Sequence, residues 1–494
     1  MSQFKPSKYQ QKIYDFIEFG NGNAVIDAVA GSGKSTTIVN SLKLIPTDKN
    51  VLFLAFNKAI VEELKIKVGN LPNVEIKTLH SLGASNIMRS FNCKIDANKY
   101  KTFINEGLKF GHFVPKQDLD AEEFSEYKSN IFKLVDLIRV NLCKSFKEAE
   151  DLAFKHNLFI QDNELEIVNK AIKYGKRETS KIDFTDMIFF PNIKNIRMQQ
   201  YDWVFIDECQ DLNTAQRGMF LKCVEPEEGR FIAVGDPRQS IYGFAGADVK
   251  SFNLLKAIPH TIELPLSVCY RCDSSIITLA QSLVPQIEAK DGAPEGKVDM
   301  NASIKDVQDG DMILCRVTAP LTSLCMKYIA DGVKAYIKGK DIGANLINMI
   351  KRTNRTNTQE AQKIFQKESA KIAYKISKAQ SCSISDAKEN NQYTYYADKV
   401  QAIEVLSEGL SQTRQLIARI ESIFSEGNKA GICLSTIHKA KGLESDRVFI
   451  ACPDKLYNPR AMRVEWMAVQ ETNLVYVAYT RAKHHLGFIQ DFSI

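Results

Sequence analysis

The sequence predicts an α/β protein built from two parallel-sheet domains, each interrupted by a mainly helical insertion. Three observations carry that reading. Short apolar runs of strand length, "NAVIDAVA", "NVLFLAFN", "YDWVFIDE" and "RFIAVGD", alternate with helical stretches in the N-terminal half. The alternation returns beyond Leu264 in "DMILCRV", "VKAYIKG", "KAGICLSTI", "DRVFIA" and "HHLGFI". Within each half the strand runs stop over one long stretch, about 89–184 and about 345–412. Parallel strands are covered on both faces, so they read as continuous apolar runs, and their crossovers are helical.

The elements follow in order. The first strand leads into "AVAGSGKS", residues 28–35, and a helix opens at Lys34. In the first insertion, "AEEFSEYKSNIFKLVDLIRVNL" places apolar residues at three- and four-residue spacing, an amphipathic helix. In the second, residues 351–400 hold ten Lys/Arg against five Asp/Glu, with "YTYY" near the end. That mixture suits contact with a nucleic-acid strand and equally suits a solvated helical face. The expected division is a first sheet domain at 1–88 and 185–263 around the insertion 89–184. The second domain is expected at 264–344 and 413–494 around a short basic insertion, 345–412.

With 494 residues, 44% hydrophobic and 25% charged, the chain has the balance of a soluble globular protein with several domains. The net charge of +6 is compatible with a polyanionic partner. "MSQFKPSKYQ" has no apolar run of the kind a secretory signal needs, and no stretch approaches the ~20 apolar residues of a membrane span. The expectation is a cytosolic protein. The 11 cysteines are scattered, and the close pair Cys269 and Cys272 has no second pair at zinc-site spacing. Free thiols in a reducing compartment are expected.

"AVAGSGKS" has the composition of a phosphate-binding loop. Such a loop aims backbone N–H groups into one concavity at a helix N-terminus. Gly31 and Gly33 allow the tight path, Lys34 supplies a cation to the β- and γ-phosphates, and Ser35 a hydroxyl to Mg²⁺. Ala28 stands where a first glycine is usual, at the start of the turn. In "WVFIDECQD" an apolar strand ends in Asp207, suited to hold Mg²⁺, and Glu208, suited to accept a proton from an attacking water. The chemistry implied is hydrolysis of the γ-phosphate of a nucleoside triphosphate. Arg271 in "LSVCYRC" and Arg481 in "VYVAYTRAK" are candidates to stabilise the charge that builds on the γ-phosphate, across a cleft between the two domains.

The ordered set "SKYQQ", "AVAGSGKS", "LAFNKA", "TLHSLG", "IDFTDMI", "FIDECQD", "VGDPRQSIYGFAGA", "LPLSVCYRC", "LSTIHKAKGLESDRVFI" and "NLVYVAYTRAK" resembles a superfamily 1 DNA helicase of the UvrD/Rep type. The resemblance spans about residues 4–490 and is weakest through both insertions. It implies two RecA-like P-loop motor domains, ATP and Mg²⁺ as cofactors, and 3′-to-5′ movement on DNA. Residues 28–36 (Ala28, Val29, Ala30, Gly31, Ser32, Gly33, Lys34, Ser35, Thr36) would cradle the phosphates. Gln10 would read the adenine edge, Tyr270 would stack on the base, and Glu444 would lie near the sugar. Gln239 would sense the γ-phosphate, and Arg271 and Arg481 would act as paired arginine fingers. Phe56, Asn57, His80, Tyr242, Phe244, Thr436 and His438 would line a single-strand path. The chain departs from the family pattern at Thr36, Pro237, Arg238, Ala245, Val268, Cys269 and Asn473.

The partners implied are single-stranded DNA and duplex junctions, with single-strand-binding or replication and repair proteins alongside and no membrane. A compact build suits a phage or mobile-element enzyme. Two rivals stay open: a translocase that displaces proteins without much unwinding, and a nucleotide-switched DNA-binding module.

Overall fold

The computed structural model describes residues 5–69, 71–115, 121–156, 158, 160, 162–241, 250–425, 430–459 and 461–490. The chain divides into two compact units. One is Met1–Ala28 with Gly33–Leu266, and the other is Val29–Ser32 with Ser267–Ile494.

The first unit is built on a six-stranded, all-parallel sheet. Its order across the sheet is Val74–Thr78, Val51–Ala55, Trp203–Ile206, Arg230–Gly235, Asn23–Ala28, Thr261–Leu266. Val51–Ala55 and Trp203–Ile206 are buried along their whole length, as strands covered on both faces must be. Separate apolar cores fill the two faces, one around Val25, Leu54 and Ile206 and the other around Ile26, Phe53 and Phe205. Two edge strands were not evident as apolar runs. Val74–Thr78 is only half-buried, and Thr261–Leu266 carries Pro265, which an edge tolerates because no ladder donor is needed on its open side. Thr261–Leu266 crosses the boundary read from the sequence and pairs with Asn23–Ala28.

The first insertion has a core of its own around Tyr100, Ile131, Leu134 and Ile172. Helices dominate it, although Lys94–Ile95 and Lys181–Ile182 form a small parallel pair that clamps its two ends together. A buried polar network fastens it to the sheet unit. Lys99 Nζ lies 2.7 Å from Asp186, Arg139 lies 2.7 Å from Asp183 and 3.1 Å from Asp186, and Tyr100 donates to Asp186 at 2.9 Å. Both aspartates come from "IDFTDMI", so this segment serves as the socket for the insertion.

The second unit carries a seven-stranded parallel sheet, ordered Lys297–Ala302, Ala482–Ile489, Ser445–Ala451, Met312–Cys315, Ile432–Thr436, Ala335–Lys338, Phe424–Ser425. Its insertion is not a separate body. Phe365, Val400, Ile403 and Leu406 share one apolar core with sheet residues Ile313, Ile337, Leu434 and Phe449. Asp398 of the insertion accepts from the backbone N–H of Thr318 at 2.9 Å and of Ala319 at 2.8 Å, capping the helix Ala319–Ala330. All eleven cysteines are free. Among the described residues no helix is long and apolar enough to cross a membrane.

Candidate functional site

In a parallel sheet, ligands gather at the carboxyl ends of the strands. Three neighbouring strands of the first unit end in the residues singled out from the sequence. Asn23–Ala28 runs into the glycine loop and then the helix Lys34–Leu42. Gly31 and Gly33 take left-handed φ of +65° and +77°, conformations that side chains disfavour. Trp203–Ile206 ends in Asp207 and Glu208, and Arg230–Gly235 ends at Asp236, three residues before Gln239.

The polar groups on these ends meet. Lys34 Nζ lies 2.8 Å from Glu208 Oε1. Burial opposes the ammonium charge, but Glu208, Asp207 and Asp236 outweigh it and hold the Lys34 pKa above its ordinary value. Asp207 is buried, and its Oδ1 accepts the Glu208 N–H at 2.9 Å. Glu208 has a left-handed φ of +53°. Gln239 Nε2 donates to Asp236 Oδ2 at 2.7 Å. Gln10 docks on the loop helix, donating to Thr37 Oγ1 at 3.0 Å while its Oε1 accepts the Ser7 N–H at 3.0 Å.

In the second unit the register Ser445↔Ala482 sets the residues just before those two strands, Glu444 and Arg481, side by side. Arg271 Nε lies 2.7 Å from Glu444 Oε2, and its Nη1 donates to Thr480 O at 3.1 Å. Arg481 is buried and donates to Val477 O and Leu443 O, each at 3.0 Å, and to Thr480 Oγ1 at 3.2 Å. Burial works to raise the Glu444 pKa, but Arg271 and Lys483 hold it below the ordinary carboxylate value. Tyr270 is exposed, and its backbone N–H donates to Gly31 O at 2.9 Å.

Residues 9–259 match the family model of the UvrD/REP helicase N-terminal domain, and residues 431–489 that of the UvrD-like helicase C-terminal domain. The chain belongs to the UvrD/Rep helicase family. It is 24% identical over 523 aligned residues to F-box DNA helicase 1 of Gallus gallus, covering 98% of this chain and 49% of that protein. To the ATP-dependent DNA helicase Rep of Buchnera aphidicola subsp. Acyrthosiphon pisum it is 25% identical over 296 residues, 54% of this chain and 44% of the relative. To the ATP-dependent DNA helicase PcrA of Staphylococcus epidermidis it is 25% identical over 294 residues, 53% and 38% of the two chains. The chain therefore spans about half or less of the length of these curated relatives.

The strand-path candidates of this UvrD/Rep-family chain have varied placements. Phe56 is exposed directly after the strand Val51–Ala55. Asn57 is engaged as a helix cap, its Oδ1 accepting the Ile60 N–H at 2.9 Å. His80 is half-buried, and burial lowers its pKa. Thr436 is buried at the end of its strand. His438 follows two residues on, and burial together with the Arg316 charge lowers its pKa to about 3. Tyr242 and Phe244 lie outside the described residues, as does Ala245.

Sequence reasoning passed over four polar residues. Gln210 and Asp236 link the groups of the first unit, and Thr480 receives both arginines of the second. Tyr476 accepts the Ala30 N–H at 2.9 Å. All four lie inside segments quoted for their pattern, so the signal was present but gave no role. Arg238, one of the positions that depart from the family pattern, is paired with Asp27 at 2.7 Å and Asp236 at 2.9 Å.

The loop fits a triphosphate. Two left-handed glycine positions, Gly31 and Gly33, precede a helix N-terminus, which favours anions. Ser32 is buried, and its hydroxyl has no hydrogen-bond partner among the described residues, a donor that a phosphate oxygen would satisfy. Among the described residues no three His, Cys, Asp or Glu gather as a metal cage.

Proposed function

We propose that the chain is an ATP-dependent DNA helicase and single-stranded-DNA translocase that moves 3′-to-5′, in the cytosol, in DNA replication, recombination or repair. The observation that carries this reading is the meeting of Lys34, Asp207 and Glu208 at the carboxyl ends of two strands of one sheet in a UvrD/Rep-family chain. In the reaction, water attacks the γ-phosphorus, the bond to the β–γ bridging oxygen breaks, and Glu208 takes the proton of the water. Lys34 exchanges its contact with Glu208 for the β- and γ-phosphate oxygens, which frees that carboxylate to act as base. Arg271 and Arg481 meet the charge that builds on the γ-oxygens. Mg²⁺, when bound, neutralises charge between the β- and γ-phosphates, and Ser35 and Asp207 would hold it. Gln10, its amide fixed by Ser7 and Thr37, reads the adenine edge, with Tyr270 against the base and Glu444 near the sugar.

Phe56 offers a stacking face to the strand, and His80, Thr436 and His438 offer polar contacts. With its pKa near 3, His438 meets the strand as a neutral group rather than as a cation. A second reading, translocation that displaces proteins with little unwinding, is favoured by the second insertion, which is short and shares the core of the sheet unit.

The test is strand displacement on duplexes with a single 3′ or 5′ tail, run beside removal of a protein block from single-stranded DNA. Displacement from the 3′-tailed duplex alone supports the proposal. Block removal without displacement supports the second reading. Displacement from the 5′-tailed duplex alone contradicts the polarity.

A further inference from the structure

The first unit contains an unbroken hydrogen-bonded chain from the candidate base to the candidate γ-phosphate sensor, and its central link is a residue with no role in the reading above. Gln210 lies in the short 3-10 turn Cys209–Asp211 and is 1% exposed. Its Nε2 donates to Glu208 Oε2 at 2.5 Å. Its Oε1 accepts the backbone N–H of Asp236 at 3.1 Å. Asp236 is fully buried, and its Oδ2 accepts from Gln239 Nε2 at 2.7 Å.

We propose that Gln210 is a positioning residue that sets the carboxylate of Glu208 and ties it, through Asp236, to Gln239. The side-chain type is dictated by the geometry. The link must donate to a carboxylate at one atom and accept an N–H at the other, in a place closed to water. A carboxamide does both. A glutamate would present two acceptors and repel Glu208, and an apolar side chain would leave the Asp236 N–H buried and unsatisfied.

Gly235 supplies an independent mark of the same link. A Cβ at this position would stand 2.3 Å from Gln210 Oε1, closer than any side chain can approach. The strand Arg230–Gly235 therefore ends in the one residue that lets the amide reach the next strand end.

A carboxylate held by a donor is fixed in its orientation. Gln210 thus acts on the rate through Glu208 and on nucleotide binding hardly at all. The link also gives Gln239 a hold on the base through two intermediaries: a change in what Gln239 contacts shifts Asp236 and, through the amide, the Glu208 rotamer.

This inference rests on the proposed ATP hydrolysis. The experiment measures kcat and KM for ATP for the full chain, with and without single-stranded DNA. Gln210→Leu and Gln210→Met are compared with the wild type, each with its own thermal transition recorded. Gly235→Ala presses on the amide, and on Cys209 Sγ at 2.8 Å, without removing any hydrogen-bonding group.

We expect kcat to fall about 10- to 100-fold in each variant with KM within about twofold, the signature of a lost transition-state contact. Gln210→Leu combined with Gln239→Ala should cost much less than the product of the two single effects. Wild-type kcat in the Gln210 variants, or a rise in KM alone, or full additivity with Gln239→Ala, would overturn the proposal while hydrolysis stands. Hydrolysis by the wild type that Lys34→Ala leaves intact would bring down the nucleotide reading and this link together.

Discussion

Glu208 holds a φ of +53°, a conformation that costs a non-glycine residue about 1–3 kcal/mol. Its side chain is thereby aimed at Lys34 and Gln210, whose contacts help offset that cost. The segment "DECQD" announced both carboxylates, because two acids after an apolar strand are conspicuous. The backbone angle and the bridging role of Gln210 were not legible, since both depend on the neighbouring strand ending at Asp236. His438 makes a residue-scale prediction. Its folded pKa of about 3 lies below the ordinary 6.5, so between those values the unfolded chain binds the extra proton. The stability that the neutral imidazole contributes is intact above pH 6.5 and is lost as the pH falls through that window. Its share of the pH dependence has a slope of up to about 1.4 kcal/mol per pH unit. His438→Asn should flatten the acid-side loss of stability, read as denaturation midpoints across pH, and an unchanged pH dependence would contradict the placement.

The central strands were legible because burial on both faces demands continuous apolar sequence, as in "VLFLA" and "WVFI". Edge strands carry no such demand, and Val74–Thr78 and Lys297–Ala302 escaped for that reason. The insertions separate at this scale too. The first has its own core and is fastened by buried charge, and the second shares the core of its sheet and is fastened by a helix cap. Each unit has one of the two tryptophans, Trp203 in the first and Trp466 in the second, so single-tryptophan backgrounds report the units separately. Asp186→Ala strands the buried Lys99 charge, while Arg139 keeps Asp183, and should lower the stability read at Trp203 by about 3–5 kcal/mol. Asp398→Ala uncaps Ala319–Ala330 and should lower the stability read at Trp466 by about 1–2 kcal/mol. Equal losses at both probes would contradict this division of the fastening.

At the scale of the whole molecule, the family follows from the N-terminal match over residues 9–259, and the two parallel sheets give each set of candidate residues a rigid floor. The first unit assembles the loop lysine, the acidic pair and the sensor glutamine, and the second assembles the two arginines with Glu444. The central claim is that these groups hydrolyse ATP in response to a DNA strand. ATP hydrolysis with and without single-stranded DNA, for the wild type and Lys34→Ala, tests it most directly. The account predicts hydrolysis that DNA stimulates strongly and that Lys34→Ala abolishes. Hydrolysis that is indifferent to DNA, or that survives the loss of Lys34, would contradict it.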